Sequence, residues 1–407
     1  MNLKQEGIEK GIVIKTDLSR KLTIDGHTDI YPVYKVKLDY LYFNDKNDRI
    51  ATWISKYKAE HNIDNLDITN KKLYNDVIHG FIHQSNPEAI KKTQANIELV
   101  DQREPGVILT DGRIIDGNRR VTCLRNLAKE NLRFNYFETV ILDVDLENNE
   151  KQIKMLELTI QHGEESKVDY NPIDRLVGVY NDIVENKLLT VKEYAYSTNK
   201  SEVDINKQVE LSKLLVEFLE FINAPKQFHI ARDLDLNGPL VELQSILKKI
   251  TDEDEKEELK NIVFVNFLMQ PEGDMTRFIR KIKTIASSNY IDGYLEEQMD
   301  IAEKVLDKLE EIPQNKPINN NIINNYFRND EKIKEDLKRS LDKAETKAKS
   351  KASRNKPIQT LDKVADFLDT IDTNIFMKYN DEEKNEIITK VEIIKNVLDK
   401  IKEDANV

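Results

Sequence analysis

One cysteine in 407 residues rules out a disulfide framework and any metal centre built on several thiolates. Histidine is nearly as sparse. The six are scattered, with no HExxH pattern and no His/Cys cluster, so a zinc site has no obvious ligand set. His79 and His83 have the i, i+4 spacing of a helical ligand pair, but no third ligand stands near them in the sequence. Long apolar runs are also missing. No stretch approaches the roughly 20 apolar residues of a membrane span, and the opening MNLKQEGIEKGIVIK lacks the apolar centre of a signal peptide. These absences predict a soluble, cytoplasmic chain. Basic charge is short as well: 62 Lys and Arg against 74 Asp and Glu give a net charge of −12. That balance argues against coating nucleic acid by charge alone, and leaves room only for a local basic patch.

At 39% hydrophobic and 33% charged residues, the chain is slightly polar but too apolar for wholesale disorder. Its length predicts two or three domains. Charge is unevenly spread. Residues 1–100 carry 15 basic and 14 acidic residues, whereas residues 251–300 carry 6 and 12, which is half of the net excess. The one dense basic run is KAETKAKSKASRNK at 343–356, which reads as a solvated helix face or a polyanion contact.

Residues 1–170 mix strand and helix signals. Strands are predicted at 30–43 and 138–145, and a hairpin at 106–115 around Asp111-Gly112. Helices are predicted at 50–60, 71–83, 87–99, 119–129 and 149–161. After residue 171 the pattern is almost wholly helical. The Asn- and Pro-rich PQNKPINNNIINN, at 313–325, reads as a linker. Beyond it, 328–352 is a charged helix. A helix at 380–403 opens on an Asn380/Glu383 cap and carries Ile387, Val391, Ile394, Leu398 and Ile401 as an apolar stripe. The stripe suits a two-helix hairpin or a short coiled-coil contact.

The strongest local signal is Asp116-Gly117-Asn118-Arg119-Arg120, between a strand and a helix. A glycine there brings backbone close to a ligand, and the first free N–H groups of the helix attract an anion. Two arginines add donors suited to phosphate oxygens. The bland alternative is a turn with surface arginines.

GRIIDGNRRVTCLRNL resembles the phosphate-binding box of ParB-type proteins, in which a glycine and a polar residue precede two arginines opening a helix. Upstream, VKLDYLYFNDKNDRI resembles the family's first box, with Arg49 as its arginine. Downstream, VDYNPIDRL resembles the segment in which Asn-Pro opens a helix. Residues 189–195 are similar to the first helix of the family's helix-turn-helix, 199–201 to its turn and 201–215 to its second helix. The four segments are collinear over roughly residues 30–220. The resemblance implies an α+β N-terminal ParB/sulfiredoxin-like domain, followed by a mainly α-helical region with a helix-turn-helix and a helical C-terminal part. The divisions are 1–170, 171–225, 226–312, a linker at 313–327, and a hairpin or oligomerisation region at 328–407.

By that resemblance Gly117, Asn118, Arg119, Arg120 and Arg49 border a nucleotide pocket for CTP or ATP, with Mg2+ as an accompanying ion. The third box departs from the Glu-Asn-x-x-Arg pattern of hydrolysing relatives. An ungapped match puts Gly163 and Glu164 there, and a longer loop makes Glu157 the match; both glutamates stay open as candidates, with Asp116 as a second carboxylate. Sulfiredoxin's reactive cysteine would fall at Asn118, so Cys123, five positions later among apolar residues, reads as core. In the second helix, Ser201, Asn206, Lys207 and Gln208 are the DNA-contact candidates, although Glu202 and Asp204 face phosphates badly. The leading expectation is a nucleotide-binding, DNA-associated protein in which nucleotide gates DNA or partner binding, with self-association through the C-terminal helices and no membrane partner. The alternatives are an enzyme on the same scaffold (a metal-dependent NTPase, small-molecule phosphotransferase or nuclease) and a non-catalytic interaction adaptor.

Overall fold

The computed structural model describes residues 1–24, 27–143, 146–163, 171–312 and 318–405. After a one-turn helix α1 (Glu6–Glu9), the chain forms β1 (Val13–Ile24) and β2 (His27–Lys37), then a 3-10 turn at Asp48–Ile50. Helices α2 (Ala51–His61), α3 (Lys71–Ser85) and α4 (Pro87–Val100) follow. Next come β3 (Gly106–Leu109), β4 (Ile114–Asp116), α5 (Asn118–Ala128), β5 (Tyr136–Leu142) and α6 (Leu146–Gly163). The five strands make one mixed sheet in the order β1-β2-β5-β3-β4. β3 and β5 are parallel, and the other neighbouring pairs are antiparallel.

Period-2 alternation gives this sheet two buried faces. Ile108, Ile114 and Ile141 point into a core shared with Ile78 and Ile82 of α3, Ile90 of α4 and Val121 and Leu124 of α5. Their neighbours Val107, Leu109, Ile115, Val140 and Leu142 point the other way, against Ile153, Leu156 and Ile160 of α6. The predicted hairpin around Gly112 is present, with Ile108 opposite Ile114.

The remainder is helical: α7 (Pro172–Val179) continues into a π-helical turn at Tyr180–Glu185, followed by α8 (Val191–Thr198), α9 (Glu202–Phe221) and α10 (Phe228–Asp233). Then come α11 (Asn237–Leu247), α12 (Glu253–Met269), α13 (Met275–Ala286), α14 (Ile291–Glu310), α15 (Asn320–Ile323), α16 (Glu331–Asp369) and α17 (Asp381–Ala405). A large apolar core, including Phe218, Phe264, Phe267 and Phe278, unites α7 with α9–α14. A smaller core joins Leu158 of α6 to Val179, Tyr194, Ile205 and Val209, so α6 is covered on two sides. Among the described residues no helix is long and apolar enough to cross a membrane.

One sequence expectation is corrected here, and one strand was not anticipated. The segment read as a linker, 313–327, is not one over 318–327. Ile318, Ile323 and Phe327 are buried in the helical core, and Asn319 caps α15 by accepting a bond from the Ile322 N–H. The asparagines serve helix starts rather than an open chain. β1 carried no strand signal, because its VIKTDLSRKLTI is mostly exposed along the sheet edge, where charge is tolerated.

The chain divides into compact units at residues 1–345 and 346–407. The second contains the end of α16, a 3-10 turn at Thr373–Lys378 and α17. Asn380 and Glu383 form the predicted reciprocal cap of α17. None of the residues of α17 is buried, and Val391, Ile394, Leu398 and Ile401 of the apolar stripe are exposed.

Candidate functional site

β4 delivers the chain to Asp116, and Gly117 turns it into α5. Gly117 has φ +107°, and a Cβ there would lie 2.5 Å from the Phe137 ring, so only glycine fits. Its carbonyl accepts the Val121 N–H at 2.9 Å and closes the first helical turn. No side chain caps α5. The helix therefore presents its positive end with its first amides uncovered by a capping group. Asn118 is buried there, and its Oδ1 has no hydrogen-bond partner.

The two arginines of the box do different work. Arg120 is a brace: its Nη2 donates to Asp116 Oδ2 at 2.8 Å, and its Nη1 donates to the carbonyls of Glu104 and Pro105. Arg20, from β1, donates to the same Asp116 oxygen at 3.1 Å and to the Pro105 carbonyl at 2.6 Å. Asp116 is thus bracketed by two guanidiniums, a poor state for a metal ligand or general base. Arg119 makes no hydrogen bond or ion pair with any described residue. Burial, then the charge of Arg49 and that of Arg120, lowers its pKa from the ordinary arginine value. Arg49, in the Asp48–Ile50 turn, is brought to the same place by Asn47, whose Oδ1 accepts the Arg49 N–H at 3.1 Å. Two partly desolvated guanidiniums beside an uncapped helix start form a site that an anion would relieve.

Of the two candidate glutamates, Glu164 lies outside the described residues. Glu157 is buried on α6. Its Oε1 accepts from Gln161 at 2.9 Å and its Oε2 from Asn44 at 3.3 Å. Burial pushes its pKa up to about 7, against the pull of nearby Lys154. Lys154 in turn stands 2.8 Å from Asp48 and 3.3 Å from Asp182. This buried acid–lysine cluster and the Arg20 brace were missed in the sequence. The available signal was Lys154 and Glu157 set among Ile153, Leu156, Leu158 and Ile160, on a helix apolar on two sides. Among the described residues no group of three or more His, Cys, Asp or Glu side chains is arranged to hold a metal ion. His79 bonds Asn126 instead. Cys123 is buried beside α4, and burial pushes its thiol up to about 12.

α8 and α9 are joined by a turn at 199–201. Thr190 and Glu193 form a capping box for α8, Asn199 adopts the left-handed conformation, and Ser201 caps α9. Ser201 Oγ accepts the Asp204 N–H and donates to the Asp204 carboxylate at 2.6 Å. Asn206 and Lys207 are exposed, with Lys207 3.8 Å from Asp204, while Gln208 is half-buried with its Oε1 unpartnered. Exposed Glu202, Val203 and Asp204 form the leading edge of α9, so that edge is acidic.

No family model matches the chain. No curated protein matches it either. Among solved structures it is similar to one described as "Structure of the C2221 form of Pnob8-like ParB-N domain", with 13% identity over 62% of this chain and 97% of that one, at a TM-score of 0.29.

Proposed function

We propose that this protein binds a nucleotide, CTP or ATP, by its phosphates at the start of α5, and that occupancy gates association with DNA or a protein partner. The observation that carries this reading is Arg119: a half-buried guanidinium with no bonding partner among the described residues, beside Arg49 and the uncapped α5 N-terminus. Gly117 and Asn118 complete the cradle, and the unpartnered Asn118 Oδ1 suits a ligand hydroxyl or amine. Arg120 is reassigned from phosphate contact to bracing the loop that carries the site. Mg2+ accompanying a triphosphate would rest on phosphate oxygens. Among the described residues no set of side chains fits a protein-built metal cradle.

The geometry favours binding over turnover. Glu157 has a pKa suited to a general base, but it is closed from solvent and held by two side-chain amides. Asp116 is bracketed by two arginines. Contact with DNA would fall on Ser201, Asn206, Lys207 and Gln208, and the acidic start of α9 makes that contribution weak in isolation. The exposed stripe of α17 would join two copies of the chain. Calorimetry of the full chain with CTP, ATP, ADP and GTP, with and without duplex DNA and Mg2+, tests the reading. Loss of all nucleotide binding would remove it in favour of an adaptor acting through the C-terminal helices.

A further inference from the structure

The Lys154 cluster gathers three carboxylates from three segments around one ammonium. Asp48 comes from the turn before α2, Glu157 from α6 and Asp182 from the π-helical turn after α7. The Lys46 carbonyl also accepts from Lys154 Nζ at 3.3 Å. All four residues are more than nine-tenths buried, at 6% exposure for Lys154, 8% for Asp48, 2% for Glu157 and 6% for Asp182. One ammonium balances one carboxylate. Two further negative charges in an interior closed to water are strongly disfavoured, so the cluster must hold protons close to neutrality.

Hydrogen bonding indicates where the first proton goes. Both Glu157 oxygens accept amide donors, which favours its ionised form. Among the described residues no amide donates to the Asp182 carboxylate, whose Oδ2 faces the Lys154 ammonium at 3.3 Å. The other charged groups that bear on the cluster are Lys46, which pairs with Glu150, and Asp174 of α7, which accepts the Thr52 N–H and feels Arg232.

The cluster lies on a seam. Its carboxylate Asp48 packs directly on α7: a Cβ at Gly178 would sit 2.6 Å from the Asp48 carboxyl carbon. Asp182 faces two ways. Its side chain meets Lys154, and its carbonyl accepts the N–H groups of Leu188 at 2.8 Å and Leu189 at 3.0 Å, just before α8. We propose that the cluster is a proton-operated latch: a proton held by the Asp182–Glu157 pair closes residues 172–189 onto the Asp48 turn, and its loss loosens that seam. Burial raises both carboxylates to about 7, which fixes the sign. A carboxyl whose folded pKa is raised stabilises the folded seam at low pH, and that stability is lost as pH rises through the folded value. The latch goes beyond the nucleotide reading and stands without it.

Hydrogen exchange of the full chain at pH 6 and pH 8.5 tests this, expressed as protection factors so that the intrinsic pH dependence of exchange is divided out. Amides of 172–189 should lose protection by roughly tenfold in the wild type, as one titrating group implies over about one pH unit. Amides of 259–268 in α12 serve as the internal reference. In Asp182→Asn the loss should shrink to less than about twofold. If Asp182→Asn does not fold, Glu157→Gln takes its place. Equal wild-type protection at the two pH values overturns the latch, as does a loss in the neutral variant as large as in the wild type.

Discussion

Arg119→Ala separates ligand binding from folding, because the geometry gives its two effects different signs. In the absence of ligand Arg119 bonds to no described residue, and its charge repels that of Arg49. Its removal should leave the melting temperature unchanged or slightly raised. With nucleotide, the variant loses a guanidinium–phosphate contact. A charge-assisted hydrogen bond of this kind contributes about 1.5–3 kcal/mol, so Kd should weaken by roughly ten- to a hundredfold. Arg120→Ala should behave in the opposite way. It removes a bond to Asp116 and leaves that carboxylate to Arg20, costing about 1–3 kcal/mol of stability, with a smaller and indirect effect on affinity. The assay is thermal denaturation of wild type and both variants, with and without saturating nucleotide, paired with calorimetry. At a hundred times Kd the ligand stabilises the wild type by about 2.7 kcal/mol, and at the same concentration this increment should shrink to about 0.4–1.4 kcal/mol in Arg119→Ala. Unchanged affinity in Arg119→Ala, together with a lowered melting temperature, would refute the division of labour between the two arginines.

Lys154→Met should destabilise the chain by about 3–5 kcal/mol in urea, because it strands buried Asp48 and Asp182 without their cation; a loss below 1 kcal/mol would mean that water reaches the cluster. The Cys123 thiol should resist an aromatic disulfide reagent at pH 8 until the protein is unfolded, since it is buried with its pKa pushed up to about 12. Leu398→Asp should reduce the mass seen by light scattering without lowering the melting temperature, because Leu398 is exposed and its proposed partner is a second copy; an unchanged mass would place self-association elsewhere or nowhere.

What was legible in the sequence followed residues with strong local rules. Asp111-Gly112 marked the hairpin, Pro87 marked the start of α4, and Asp116-Gly117 marked the strand-to-helix turn that carries the site. What was missed depended on contacts distant in sequence. The roles of Arg119 and Arg120 look interchangeable as a dipeptide. They are separated by what Arg120 bonds, namely Asp116 and the Glu104 and Pro105 carbonyls, and Arg20 joins that brace from 96 residues before Asp116, on an edge strand too polar to announce itself. The Asn-rich stretch near 320 was misread because asparagine signals a loop and a helix cap equally, and the burial of Ile323 and Phe327 decides between them. Lys154, Glu157 and Asp182 form one cluster only after α6 and α7 fold against the Asp48 turn.

The central claim is that the start of α5 is a phosphate site. Its most direct test is calorimetric titration of the full chain with CTP and ATP, repeated with Arg119→Ala and Arg49→Ala. The account predicts saturable binding of at least one nucleotide to the wild type, and affinity reduced at least tenfold in both variants. Absence of binding to the wild type, or equal affinity in all three proteins, would contradict it.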